Sequence, residues 1–253
     1  MRYNKFLPLF IPLLTFILLE FFYFRPRMIY VVLVILILLY FFTFRQFIKA
    51  SKKKENIWNY LILPALFLIS SSGFSVLMPS KFLVQSLFIV VFLFLNIYFR
   101  TTYYYFLKPE KYQKNSLENL SSYGSFLSVY FAASGIYGLQ SFLGMNTCLL
   151  MLILLFFISA IVYQVFLTNS ILTKSGILFI IILPLTYLEI AWSISFLSLS
   201  YYILGLIMAV CYYIAIGLVR FYLIGKLDAQ IIKLYLIFGF LSIFSVLFTS
   251  RWV

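Results

Sequence analysis

Short polar breaks divide this chain into apolar runs of about twenty residues, and that spacing limits the fold more than any motif does. The runs cover residues 6–24, 28–44, 57–78, 82–99, 119–142, 145–167, 177–197, 201–219 and 229–248. A helix rising ~1.5 Å per residue needs about 20 apolar residues to cross a hydrocarbon core about 30 Å thick. Backbone amides and carbonyls find no water there, so each run must close its own hydrogen bonds as a helix. The expected fold class is all-α: a polytopic transmembrane bundle of about nine helices, forming a single integral membrane domain over residues 1–253. Eight or ten helices remain compatible, because the seventh and eighth runs have little between them.

Composition agrees. Of 253 residues, 65% are hydrophobic and 10% charged, against about 25% charged in a soluble domain. The net charge of +13 could suit nucleic acid, but the basic residues sit in the breaks between apolar runs and so read as orientation signals. Membrane lipids are the expected surroundings, and no nucleic-acid partner is expected. Arg25, Arg27, Lys81 and Arg251 fall on one side of a nine-helix arrangement. The other fifteen basic residues, among them Arg2, Lys5, Arg45, Lys49, Lys52, Lys53, Lys54, Arg100 and Lys108, fall on the opposite side. The positive-inside rule then places the N-terminus in the cytoplasm and the C-terminus outside, in a plasma (inner) membrane. The opening MRYNK has the charge of a signal peptide, yet Glu20 and Arg25-Pro26-Arg27 stand where a cleavage site would be, so an uncleaved first helix is expected. Cys148 and Cys211 lie in separate apolar runs, and no disulfide is expected.

The fifth run, with its flank to Gly144, differs from the rest in being built of small and polar residues. At helical spacing Gly124, Ser128, Ala132, Gly135 and Gly138 share one face, a stripe that lets another helix approach closely. Tyr123, Tyr130 and Tyr137 recur every seven residues beside it. This helix is expected at the centre of the bundle. Gly205 and Ala209 form a second small pair in the eighth run. The second, fourth and sixth runs are almost purely apolar and are expected to face lipid.

Polar groups concentrate in the first, third, fifth and seventh runs. Glu20, the Ser70–Ser75 cluster with Ser71 and Ser72, Ser134 with Gln140, and Glu189 with Ser193 all fall toward one end of their helices. Packed together, these residues would form a substrate site near the outer leaflet. Glu189 follows Pro184 by five residues and lies well inside its run, where a carboxyl must be protonated, paired or wet. A neutral Glu189 bonded to Tyr130 or Ser134 is the packing alternative, and a salt bridge to Arg25 is expected for Glu20. Tyr103-Tyr104-Tyr105 beside Lys108, Lys111 and Lys114 suits the headgroup layer, and the interval 100–118 reads as an interfacial connector. Ile62-Leu63-Pro64 and Leu183-Pro184-Leu185 form a weak internal echo.

The chain has no histidine and six scattered acids, so neither a metal site nor a catalytic carboxylate pair is visible. No nucleotide-binding motif occurs, and no cofactor is expected. The build resembles the many small polytopic membrane proteins of bacteria to which no role is attached. Two functions stay open: a permease-like transporter of a small solute or lipid-like molecule, and a non-catalytic subunit assembling other membrane subunits or a homo-oligomer. A membrane enzyme acting on lipid-linked substrates is a third, less supported reading.

Overall fold

The structure, a computed structural model, describes residues 6–51 and 55–250. Arg2, Lys5, Lys52, Lys53, Lys54 and Arg251, which enter the charge comparison above, lie outside the described residues. Among the described residues there are nine α-helices and no strand: α1 (Leu7–Phe24), α2 (Ile29–Ser51), α3 (Trp58–Ser75), α4 (Lys81–Leu107), α5 (Ser116–Leu143), α6 (Thr147–Thr168), α7 (Lys174–Ile194), α8 (Tyr201–Leu223) and α9 (Ala229–Thr249). Every apolar run forms one helix, and the chain is an all-α, multi-pass membrane protein. Eight of the nine helices are long and apolar enough to cross a bilayer. The ninth, α3, is diluted by Trp58-Asn59-Tyr60 at its start and by Ser70–Ser75 at its end.

Several helices outlast their apolar runs. α2 continues to Ser51 and α4 to Leu107, because lysines, arginines and tyrosines leave the hydrocarbon without breaking the backbone ladder. The expected connector 100–118 is therefore mostly helix: a 3-10 turn at Pro109–Lys111 separates α4 from α5. Gly144 and Gly225 follow α5 and α8 with φ of 59° and 72°, the left-handed termination that glycine tolerates at a helix end.

The chain forms two compact units, Met1–Gly124 and Ser125–Val253, with the division inside α5. In the first unit α1 packs most extensively against α4, while α2 touches α1, α3 and α4. Tyr40, Phe44 and Phe47 of α2, Phe67 of α3 and Phe88, Tyr98 and Phe99 of α4 are fully buried. Phe44 and Phe99 stack with centroids 4.9 Å apart. In the second unit neighbours in sequence pair: α6 with α7, α7 with α8, and α8 with α9. Leu150, Leu154, Ile158, Ile161 and Val165 of α6 repeat at helical spacing and are buried.

Buried polar groups hold the helices to one another. Pro64 has no N–H, so it deprives the Tyr60 carbonyl of its helical partner one turn back. The Tyr98 hydroxyl donates to that carbonyl at 3.0 Å, joining α4 to α3. Tyr137 donates to Ala191 O at 2.8 Å and Tyr187 to Met208 O at 2.6 Å, linking α5 to α7 and α7 to α8. The Ile180 carbonyl, freed in the same way by Pro184, receives no such bond among the described residues, so the two proline segments are not built alike. Small residues set the closest approaches. A Cβ on Gly205 would lie 2.8 Å from the Ser134 amide nitrogen, and one on Gly217 would lie 2.7 Å from Cζ of Tyr235.

Two expectations need correcting. α4 and α6, expected to face lipid, are among the better buried helices, whereas α7 is largely exposed and α9 almost wholly so. Apolar composition is demanded equally by lipid and by a packed interior, so it does not distinguish the two. Glu20 also departs from its expected salt bridge: its Oε2 accepts from Gln85 Nε2 of α4 at 2.9 Å, and its Oε1 is buried without a partner.

Candidate functional site

The α6–α7 pair leaves a cleft of about 460 Å³ where α6 begins and α7 ends, lined by Thr147, Cys148, Met151, Leu152, Leu188, Glu189 and Trp192. The local sequence explains the shape. Gly144 turns the chain out of α5, and Asn146 caps α6 by accepting from the Cys148 amide at 2.9 Å. α7 approaches antiparallel, its last turns carrying Leu188, Glu189 and Trp192 at the spacing of one helical face. The walls are apolar, and the polar side chains that reach the cleft are Thr147 and Glu189.

Glu189 is exposed at the cleft and makes no hydrogen bond to Tyr130 or Ser134. It lies one to two turns, about 7 Å along the axis, before the end of α7. The start of α6 lines the same cleft, and its positive dipole end favours a carboxylate there. Gln140 of α5 reaches this region through its side-chain amide, which donates to the Thr147 hydroxyl at 3.3 Å. Thr147 was not picked out in the sequence, since a lone threonine at a helix start is usually only a cap.

The remaining residues of the expected site are placed differently. Ser193 is exposed one turn beyond Glu189, and its hydroxyl donates to the Glu189 carbonyl at 2.9 Å, a local bond within α7. Ser134 is fully buried against Gly205 of α8 and does not line the cleft. Ser71 and Ser72 belong to the first unit. Ser71 donates to the Phe67 carbonyl at 2.7 Å, while the Ser72 hydroxyl is buried without a hydrogen bond. Of the expected packing residues, Gly124 admits the Phe94 ring and Leu63, and Ser128, Ala132, Gly135 and Gly138 are buried. The tyrosine series divides, with Tyr123 exposed and Tyr137 buried.

The first unit carries a separate polar cluster. The Glu55 carboxylate accepts from the hydroxyls of Tyr60 and Tyr105, the latter at 3.0 Å, tying the α2–α3 connection to the ends of α3 and α4. No group of three or more potential metal ligands occurs among the described residues.

The chain belongs to a family described as protein of unknown function (DUF5656), whose model matches residues 11–249. No curated protein and no solved structure matches it.

Proposed function

We propose that this member of a family without an assigned role is a permease-like carrier of a lipid-like amphiphile, admitted sideways into the α6–α7 cleft. The observation that carries the reading is the combination of an apolar slot of about 460 Å³ with a single unbonded carboxylate, Glu189, at its edge. Apolar walls disfavour a fully polar solute. The carboxylate suits a head carrying a cation or several hydrogen-bond donors, such as an amine. Thr147 and Gln140 add a hydroxyl and an amide within reach of the same region.

The charge pattern supports an outward-facing position for this end. Only with α3 crossing the bilayer do Arg100, Lys108, Lys111 and Lys114 share a side with Arg45 and Lys49. Nine crossings then put the N-terminus in the cytoplasm, the C-terminus outside, and the cleft toward the outer leaflet.

Cys148 lines the cleft and is exposed, so it reports occupancy. A long-chain amine should protect Cys148 from maleimide, and Glu189→Gln should remove that protection. In vesicles, Glu189→Gln should abolish transbilayer movement of an amine-headed fluorescent lipid. Carbodiimide labelling of Glu189 that the long-chain amine blocks would accompany both results. Undiminished protection and flux in Glu189→Gln would remove this residue from the mechanism.

A second reading, a non-catalytic subunit of a larger assembly, is favoured by α9. Gly239 is the buried residue of that helix, and Leu234, Leu236, Phe240, Phe244 and Phe248 are exposed, open to lipid or to a partner helix. Purification in mild detergent as a stable complex with other chains would support it. A monodisperse single-chain particle would count against it.

A further inference from the structure

We propose that the first unit holds a binding site for a phosphate-bearing headgroup at the end of α4. Asn96, Arg100, Tyr104 and Lys108 follow one another at intervals of four, so they line a single edge of the helix. With Pro8 and Leu9 of α1 they enclose a pocket of about 220 Å³. No acidic side chain lines this pocket, and neither Arg100 nor Lys108 forms an ion pair among the described residues.

The guanidinium is already oriented. Arg100 Nε donates to the Tyr104 hydroxyl oxygen at 3.0 Å, and its Cζ stands 5.6 Å from the centre of that ring. This contact uses one N–H and leaves the two terminal amino groups free to grip an oxyanion as a fork. The Tyr104 O–H proton and the Asn96 amide add neutral donors, and Lys108 adds a second cation. Phosphate matches that set in charge and in number of acceptor oxygens.

Depth identifies the occupant's surroundings. From Lys81, the first residue of α4, to Arg100 the helix rises about 28 Å, close to the thickness of a hydrocarbon core. The two cations therefore bracket the core. Tyr104 and Lys108 stand one and two turns beyond Arg100, in the layer where lipid phosphates lie, and Pro8 and Leu9 offer an apolar wall for the first carbons of an acyl chain. The site is confined to the first unit and does not depend on the α6–α7 cleft.

The test is native mass spectrometry of the full chain released from detergent, titrated with phosphatidylglycerol or with a galactosyl diglyceride that lacks phosphate. We expect a retained phosphatidylglycerol adduct. Arg100→Gln and Lys108→Gln should each weaken it by about tenfold, the equivalent of one charge-assisted hydrogen bond. Lys114→Gln, outside the pocket, should bind as the parent does. Circular dichroism and gel filtration check that the variants fold, and Lys108→Gln provides a second reading if Arg100→Gln does not. Displacement of the adduct by millimolar inorganic phosphate would identify free phosphate as the ligand. Persistence of the adduct would identify the lipid headgroup. Equal retention of the galactolipid, or parent-like phosphatidylglycerol binding in both variants, would overturn the proposal.

Discussion

Replacing Tyr98 by phenylalanine removes one oxygen and keeps the ring that packs edge-on against Phe44 and Phe99. The lost hydroxyl donates to Tyr60 O at 3.0 Å, and Pro64 has already removed the amide that would otherwise serve that carbonyl. Hydrogen bonds between transmembrane helices average about 0.6 kcal/mol and reach about 1.7, whereas a buried acceptor left with no partner costs about 1–3 kcal/mol. Tyr98→Phe belongs at the upper end of the first range, at about 1.5 kcal/mol. Tyr137→Phe and Tyr187→Phe are the controls. Ala191 O also accepts from the Ser195 amide at 3.0 Å, and Met208 O lies inside an unbroken stretch of α8. Each of those should lose only about 0.5 kcal/mol. Supplying the missing amide with Pro64→Ala should lower the Tyr98→Phe loss to a similar value, a coupling of about 1 kcal/mol. Reversible unfolding in mixed micelles measures all of these differences. Three equal Tyr→Phe losses, or a coupling within about 0.3 kcal/mol of zero, would refute the account of the orphaned carbonyl.

Gly205→Ala should cost about 2–3 kcal/mol in the same assay, because the new Cβ meets the backbone of Ser134, which cannot swing aside. Glu20→Gln should leave stability unchanged or raise it by up to about 1 kcal/mol, since the carboxylate has one buried oxygen without a donor and an amide avoids that charge; a loss above that value would show a required carboxylate. Gln85→Leu, by contrast, strips Glu20 of its bond and should cost about 1–3 kcal/mol. Glu189→Gln should move stability by less than about 0.5 kcal/mol, as expected of an exposed, unbonded side chain, and a thermal melt alongside the flux assay separates that from any loss of activity.

The all-α class and the existence of each helix were legible because run length and backbone hydrogen bonding leave one solution. Their neighbours were not. Nothing in residues 6–24 and 82–99 announces that α1 will lie along α4, and lipid and protein interior make the same demand on Phe88, Val91 and Leu95. Pro64 could be read as freeing the Tyr60 carbonyl, but the donor, Tyr98, stands more than thirty residues away. The polar residues of the expected site stand out in the sequence by type and position. Yet Ser71 and Ser193 satisfy their hydroxyls within their own helices, a use of serine that sequence spacing does not separate from ligand binding. Glu189 lines the cleft itself, whereas Gln140 reaches it through Thr147, a residue type too common at helix starts to stand out.

The pairing of α1 with α4 also has a consequence for the order of assembly. In the second unit α6, α7 and α8 each find a partner in the next helix made, so those contacts close over short loops as the chain emerges. The first unit works against the direction of synthesis. α1 enters the bilayer early with Glu20 uncovered, and the amide that receives this acid, on Gln85, is synthesised only after α2 and α3 have been inserted. During that interval the carboxyl of the nascent first helix lacks the partner it has in the finished fold, and the arrival of α4 supplies it.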